Sequence, residues 1–156
     1  MENIIKSKYL GIITMLLLLL NIQSTTAQNE LTAQQELEKS FFHGARTSDM
    51  ELLNKFIESG VDINYQGENG YTGLMVAAYN GQKEAVEFLL DKGANLCIKD
   101  KRGNTALMGA IVAAEDEISE ILIKKGNCDE SISQRTLEFA TRFDRKKIIT
   151  LLKTKK

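Results

Sequence analysis

Few residues in this 156-residue chain could do chemistry, and their spacing limits what they could do. Histidine occurs once, as His43 between Phe42 and Gly44. A lone imidazole in that setting reads as a packed or half-exposed side chain, because acid–base work needs a convergent partner. The two cysteines, Cys97 and Cys128, fall short of the four nitrogen or sulfur ligands of a structural zinc site. Glu115, Asp116 and Glu117 follow one another without the spaced oxygens of a calcium loop. At the start of a helix the same three acids complement its dipole. No glycine-rich phosphate loop occurs. The expectation is a protein that is not an enzyme, with no catalytic residues, no metal and no cofactor.

The stretch 1–27 has the layout of a secretory leader. Lys6 and Lys8 precede an apolar run from Tyr9 to Leu20, and small residues follow, with Thr25 and Ala27 before a cut at Gln28. The apolar run is shorter than the roughly 20 residues that span a hydrocarbon core. No cysteine lies at the cut to accept a lipid. The expected product is periplasmic or secreted, with no membrane association after cleavage. It runs from Gln28 to Lys156, enough for one modest domain. Removing Lys6, Lys8 and Glu2 with the leader leaves acids and bases nearly balanced. Such a balance gives no reason to expect nucleic acid as a partner.

The elements that position everything else repeat at one fixed interval. The same separation parts Gly60 from Gly93, Gly93 from Gly126, Gly70 from Gly103, Thr72 from Thr105, Leu74 from Leu107, and Leu89 from Leu122. The stretch Gly70–Ala94 shows what each unit holds. Thr72 can cap a first helix, in which Leu74, Ala77 and Ala78 share one face. Gly81 supplies a left-handed turn, where the other units have Ser48, Ala114 and Asp144. Ala85, Val86, Leu89 and Leu90 stripe a second helix that Lys92 and Gly93 end. In the last unit Leu137, Ala140 and Leu152 match Leu107, Ala110 and Leu122, but three positions early, so its loop is shortened by that much. Cys97 and Cys128 are two positions short of the repeat interval, in near-equivalent loops of adjacent units. A bridge needs α-carbons within about 7 Å. The spacing leaves a disulfide and two unbridged thiols both open.

This pattern resembles the ankyrin repeat. The resemblance spans Leu37 to Leu152, with units at about 37–66, 67–99, 100–132 and 133–156 after a lead-in at 28–36. It implies an all-α solenoid of about four stacked helix-turn-helix repeats with protruding loops, its shortened last unit closing the stack. Two departures stand out. Gly73 and Ala106 occupy the place of the family's proline, and the chain has no proline at all. Met75 and Met108 occupy the place of its histidine, which ties helix to loop. Both departures predict a less rigid array.

By the same resemblance, the protein binds another protein on a concave face of loop tips and first helices, and is monomeric alone. The matching positions are Glu68, Asn69, Tyr71, Tyr79 and Asn80, then Lys101, Arg102, Asn104, Val112 and Ala113. Arg46 and Thr47 in the first unit, and Arg142 and Phe143 in the last, complete the set. The resemblance implies a non-enzymatic interaction module outside the cytoplasm, in envelope protection or toxin inhibition. Two alternatives stand beside it: a secreted effector that engages a host protein, and a thiol redox protein using Cys97 and Cys128.

Overall fold

A computed structural model describes residues 35–126 and 128–154. The leader, its cut and the lead-in up to residue 34 lie outside the described residues. The chain divides into two units, Met1–Leu37 and Glu38–Lys156, and the repeats occupy the second. Helix α1 is described from residue 35 to residue 47. It is followed by α2 (Met50–Glu58), α3 (Gly73–Tyr79), α4 (Lys83–Asp91), α5 (Ala106–Ala113), α6 (Asp116–Lys125), α7 (Glu130–Arg142) and α8 (Lys146–Thr154). No strand occurs among the described residues, and none of their helices is long and apolar enough to cross a membrane.

The helices form two layers. Helices α3, α5 and α7 pack side by side, α4, α6 and α8 pack beside one another behind them, and each inner helix pairs with the outer helix that follows it. Small side chains make the close packing possible: Ala77, Ala78, Ala85 and Ala110 are fully buried. Between them lie Leu74, Val86, Leu89, Met108, Ile118 and Leu122, each at most 2 % exposed. The last unit closes the core with Ile132, Ala140 and Ile148. Leu90, expected in the buried stripe, is only half-buried.

Gly73, Met75 and Met108, where the chain departs from the family pattern, have structural answers. A Cβ on Gly73 would collide with the ring of Phe41 at Cζ. The ring of Phe41 fills that space and stacks on Phe56 at a centroid distance of 3.8 Å. Glycine at residue 73 therefore admits an aromatic contact that joins α1, α2 and α3. Met75 and Met108 are buried and simply fill their sites. Loop-to-helix bonding passes to polar residues described below.

Local signals start and stop the helices. Asp49, Thr72 and Asp129 each accept a backbone N–H of the first turn, from Leu52, Met75 and Ile132. Hydrogen bonds from Ser131 and Ile132 hold the Asp129 carboxyl below its usual range. Thr105 differs from expectation. It has the extended backbone of a cap but makes no side-chain bond to α5. The four expected inter-helix turn positions all take positive φ: Ser48 at 58°, Gly81 at 71°, Ala114 at 67° and Asp144 at 51°. Only glycine adopts that conformation without steric cost.

Gly126 breaks the pattern of Gly60 and Gly93. Those two have φ of 77° and 94°, whereas Gly126 is extended at −178°. Few residues then remain for a protruding tip, because α7 begins at Glu130, ahead of the expected unit boundary at residue 133. The shortening of the last loop is thus the loss of its tip. The neighbouring loops are laced together. Asn64 Oδ1 accepts the N–H of Asn95, whose own Oδ1 accepts that of Cys97. Cys97 is bonded to Cys128, with α-carbons 5.5 Å apart.

Three measurements test this packing. Leu122→Ala should lower unfolding free energy by about 2–5 kcal/mol, since the side chain is buried between layers; an unchanged denaturation midpoint would contradict the register. Ala114→Gly should raise stability by about 1 kcal/mol by relieving a left-handed alanine. Reducing the disulfide should cost about 2–4 kcal/mol, as expected for closing a loop of this length. Equal unfolding curves with and without reductant would contradict that role.

Candidate functional site

The described residues include four large apolar side chains that are strongly exposed: Tyr71 (40 %), Tyr79 (57 %), Val112 (37 %) and Phe143 (43 %). Their positions are not scattered. Tyr71 immediately precedes the Thr72 cap, Tyr79 ends α3, Val112 lies in the last turn of α5, and Phe143 caps α7. Three of the four thus stand at the C-terminal ends of successive inner helices. Tyr79 reaches the next helix, because a Cβ on Gly109 would lie 3.7 Å from its own Cβ. Phe143 lies beside Phe139, 6.2 Å between ring centroids, and Arg135 stands over Phe139 at 5.6 Å.

The tip before α5 is held by a carboxylate. Asp100 is 8 % exposed. Its Oδ1 accepts the backbone N–H groups of Arg102 and Asn104, both at 2.8 Å, and its Oδ2 accepts the Asn104 amide. Neighbouring units fix the same tip. Lys101 N–H donates to the Asn69 carbonyl, Gln66 donates to the carbonyls of Gly70 and Lys99, and Arg135 donates to the Arg102 carbonyl and to Asn104 Oδ1. A tip held at this many points presents Lys101 and Arg102 from a rigid base.

The expected site residues therefore differ in what their side chains can still do. Glu68, Asn69, Tyr71, Tyr79, Lys101, Arg102, Arg142 and Phe143 are exposed, as are Arg46 and Thr47. Asn104 has its whole amide engaged within the tip and toward Arg135. Asn80 is exposed too, with its amide nitrogen donating back to the Val76 carbonyl. Ala113 is half-buried, and His43 is exposed on α1. Cys97 and Cys128 lie in the loops after α4 and α6, bonded to each other, so neither presents a thiol.

The ion pairs, unlike the charges themselves, keep to one layer. The ion pairs among the described residues all belong to the outer helices or the turns that lead into them. Several bridge neighbouring units. Lys83 pairs with Glu117, Lys125 with Asp91 at 2.6 Å, Arg145 with Asp116, and Lys147 with Glu120. The hydrogen bond from Lys83 lowers the Glu117 pKa and raises that of Lys83 itself. The expected acidic cluster at Glu115–Glu117 thus serves the seam between units. No group of three or more His, Cys, Asp or Glu residues is placed to hold a metal among the described residues. Opposite this layer, α3 and α5 carry no charged residue at all.

Asp100, Gln66 and Arg135 escaped the sequence reading. For Asp100 a signal was present: Asp-Lys-Arg-Gly-Asn is the pattern of an Asx turn, with the carboxylate two positions before a bonded N–H. Arg135 carried no such mark, since its role depends on the carbonyl of Arg102 in the preceding unit.

Comparison with known proteins agrees with this architecture. A family model described as ankyrin repeats in three copies matches residues 41–136. The fourth helix pair, α7 and α8, runs on past that match. Among curated proteins, the chain is 45 % identical over 47 residues to a serine/threonine-protein kinase 12 of Arabidopsis thaliana, covering 30 % of this chain and 10 % of that protein. It is 43 % identical over 47 residues to an L-asparaginase of Dirofilaria immitis, covering 30 % of this chain and 8 % of that protein. The chain thus spans about a tenth or less of either relative, a length close to that of one repeat and part of the next. With its stacked helix pairs and a family match over more than half its length, the chain belongs to the ankyrin-repeat family.

Proposed function

We propose that this chain is a protein-interaction module that holds a partner on its loop tips and inner-helix ends, and that it works outside the cytoplasm. Ankyrin repeats generally mediate binding to other proteins. The observation that carries the assignment to this face is the placement of Tyr71, Tyr79, Val112 and Phe143. Exposed aromatic and aliphatic side chains collected on one rigid surface are typical of interface anchors. The contacting set on this reading is Glu68, Asn69, Tyr71, Tyr79, Asn80, Lys101, Arg102, Val112, Arg142 and Phe143, with the half-buried Asn104 shaping the tip beneath them.

Two features support an exported setting. The stretch 1–27 has the layout of an export leader. The Cys97–Cys128 bridge suits an oxidising compartment, whether periplasm or extracellular space. A role in envelope protection or in restraining a toxin follows this setting and carries no chemistry of its own.

Affinity capture tests the reading. The stretch 28–156 serves as bait in envelope and secreted fractions of the source, beside a Tyr79→Ala/Arg102→Ala bait with an equal melting temperature. A protein retained by the first bait and lost from the second is the expected result. Retention of the same proteins by both would overturn the assignment to this face.

A further inference from the structure

Ion pairs cross the seams of the outer layer, whereas the cations of the third and last tips and inner helices have none among the described residues. Lys101, Arg102 and Arg142 are exposed, and no carboxylate pairs with any of them among the described residues. Arg135, also exposed, spends its guanidinium on a carbonyl and an amide oxygen and so keeps its charge uncompensated. These four cations belong to the third and last units. The apolar residues Val112, Phe139 and Phe143 lie on or at the end of the inner helices of the same units. Glu138 is exposed on α7 but makes no ion pair with Arg142, one turn on, among the described residues. Glu68, on the preceding tip, bounds the cationic area on its other side.

We propose that this area takes an acidic, extended segment of the partner protein, with carboxylates over Lys101, Arg102, Arg135 and Arg142 and an aromatic or aliphatic side chain against Val112 and Phe143. The proposal rests on the interaction-module reading and specifies its ligand. Charge complementarity carries it. Opposite charges at the seams between units satisfy one another, whereas these four cations, clustered on a braced surface, form no ion pair among the described residues. Asp100 and Arg135 hold the tip before the partner arrives, so little ordering cost remains for binding. The uncharged faces of α3 and α5 favour a segment with apolar residues over a bare polyanion.

The test uses the full chain with its disulfide intact and a fluorescent peptide of about ten residues alternating Glu with Tyr and Leu. Such a peptide crosses about three units, at roughly 3.3 Å per extended residue and roughly 8–10 Å between helices. A Gln-for-Glu peptide and an oligothymidylate of equal charge are measured beside it. The acidic peptide should bind more tightly than either, and its affinity should fall about tenfold or more in Lys101→Glu/Arg102→Glu/Arg142→Glu. Added salt should weaken it, and Lys92→Glu/Lys153→Glu on the outer layer should leave it unchanged. Thermal unfolding checks that each variant folds, and Arg102→Gln alone carries the comparison if the triple variant does not. No binding, equal binding of the Gln peptide, or binding indifferent to the substitutions would overturn the proposal. Tighter binding of the oligonucleotide at these residues would assign the area to nucleic acid and overturn it too. The module reading stands apart from these outcomes: a captured protein still lost from the Tyr79→Ala/Arg102→Ala bait would sustain it.

Discussion

The helices with described bounds, of 7 to 13 residues, are too short to be stable alone, and that constraint governs the rest of the repeats. Helix α3 has seven residues and α5 eight, well below the length at which an isolated helix persists in water. Each becomes stable only by burying one face on its neighbours. The helix pair within a unit supplies part of that burial, and the adjoining units supply the remainder. Small residues set how closely the helices approach. Ala77, Ala78 and Ala110 lie at the contacts, and Gly73 yields its side-chain volume to Phe41.

Stacking also separates the work of the two layers. At the back, ion pairs such as Lys83–Glu117 and Arg145–Asp116 run from unit to unit, where solvent screening leaves each a small contribution. Their value lies in fixing register along the seam. At the loops, the Asn64–Asn95 hydrogen bond and the Cys97–Cys128 bridge do the same. The tips join in through backbone carbonyls and Asn104, and with the inner-helix ends they keep their outward side chains free. They carry exposed tyrosine, valine, phenylalanine and arginine on a base anchored by Asp100. A face built in this way suits binding without chemistry, because its cost of ordering is met by folding.

The period made most of this fold legible in the sequence. Residues buried by successive units, such as Leu74, Leu89 and Leu122, recur at fixed spacing and identify themselves. The turn positions Ser48, Gly81, Ala114 and Asp144 could likewise be aligned before their left-handed conformation was seen. What stayed hidden depends on contacts between units of unlike sequence. The packing of Phe41 onto Gly73 turns an apparent weakness into a joint. The extended Gly126 reflects the loss of a tip rather than the glycine itself. Of the binding face, the exposed positions could be read by alignment. That Asn104 is engaged within the fold, and that Arg135 braces the tip, required the geometry.

The central claim is that the inner face, and not the outer layer, meets the partner. Hydroxyl-radical footprinting of the full chain, alone and with the captured protein, addresses it directly. Protection of Tyr71, Tyr79 and Phe143 on binding, with Phe88 on the outer helix α4 labelled as before, is the predicted result. Protection confined to α4, α6 and α8, with the three inner-face aromatics labelled equally in both states, would contradict the account.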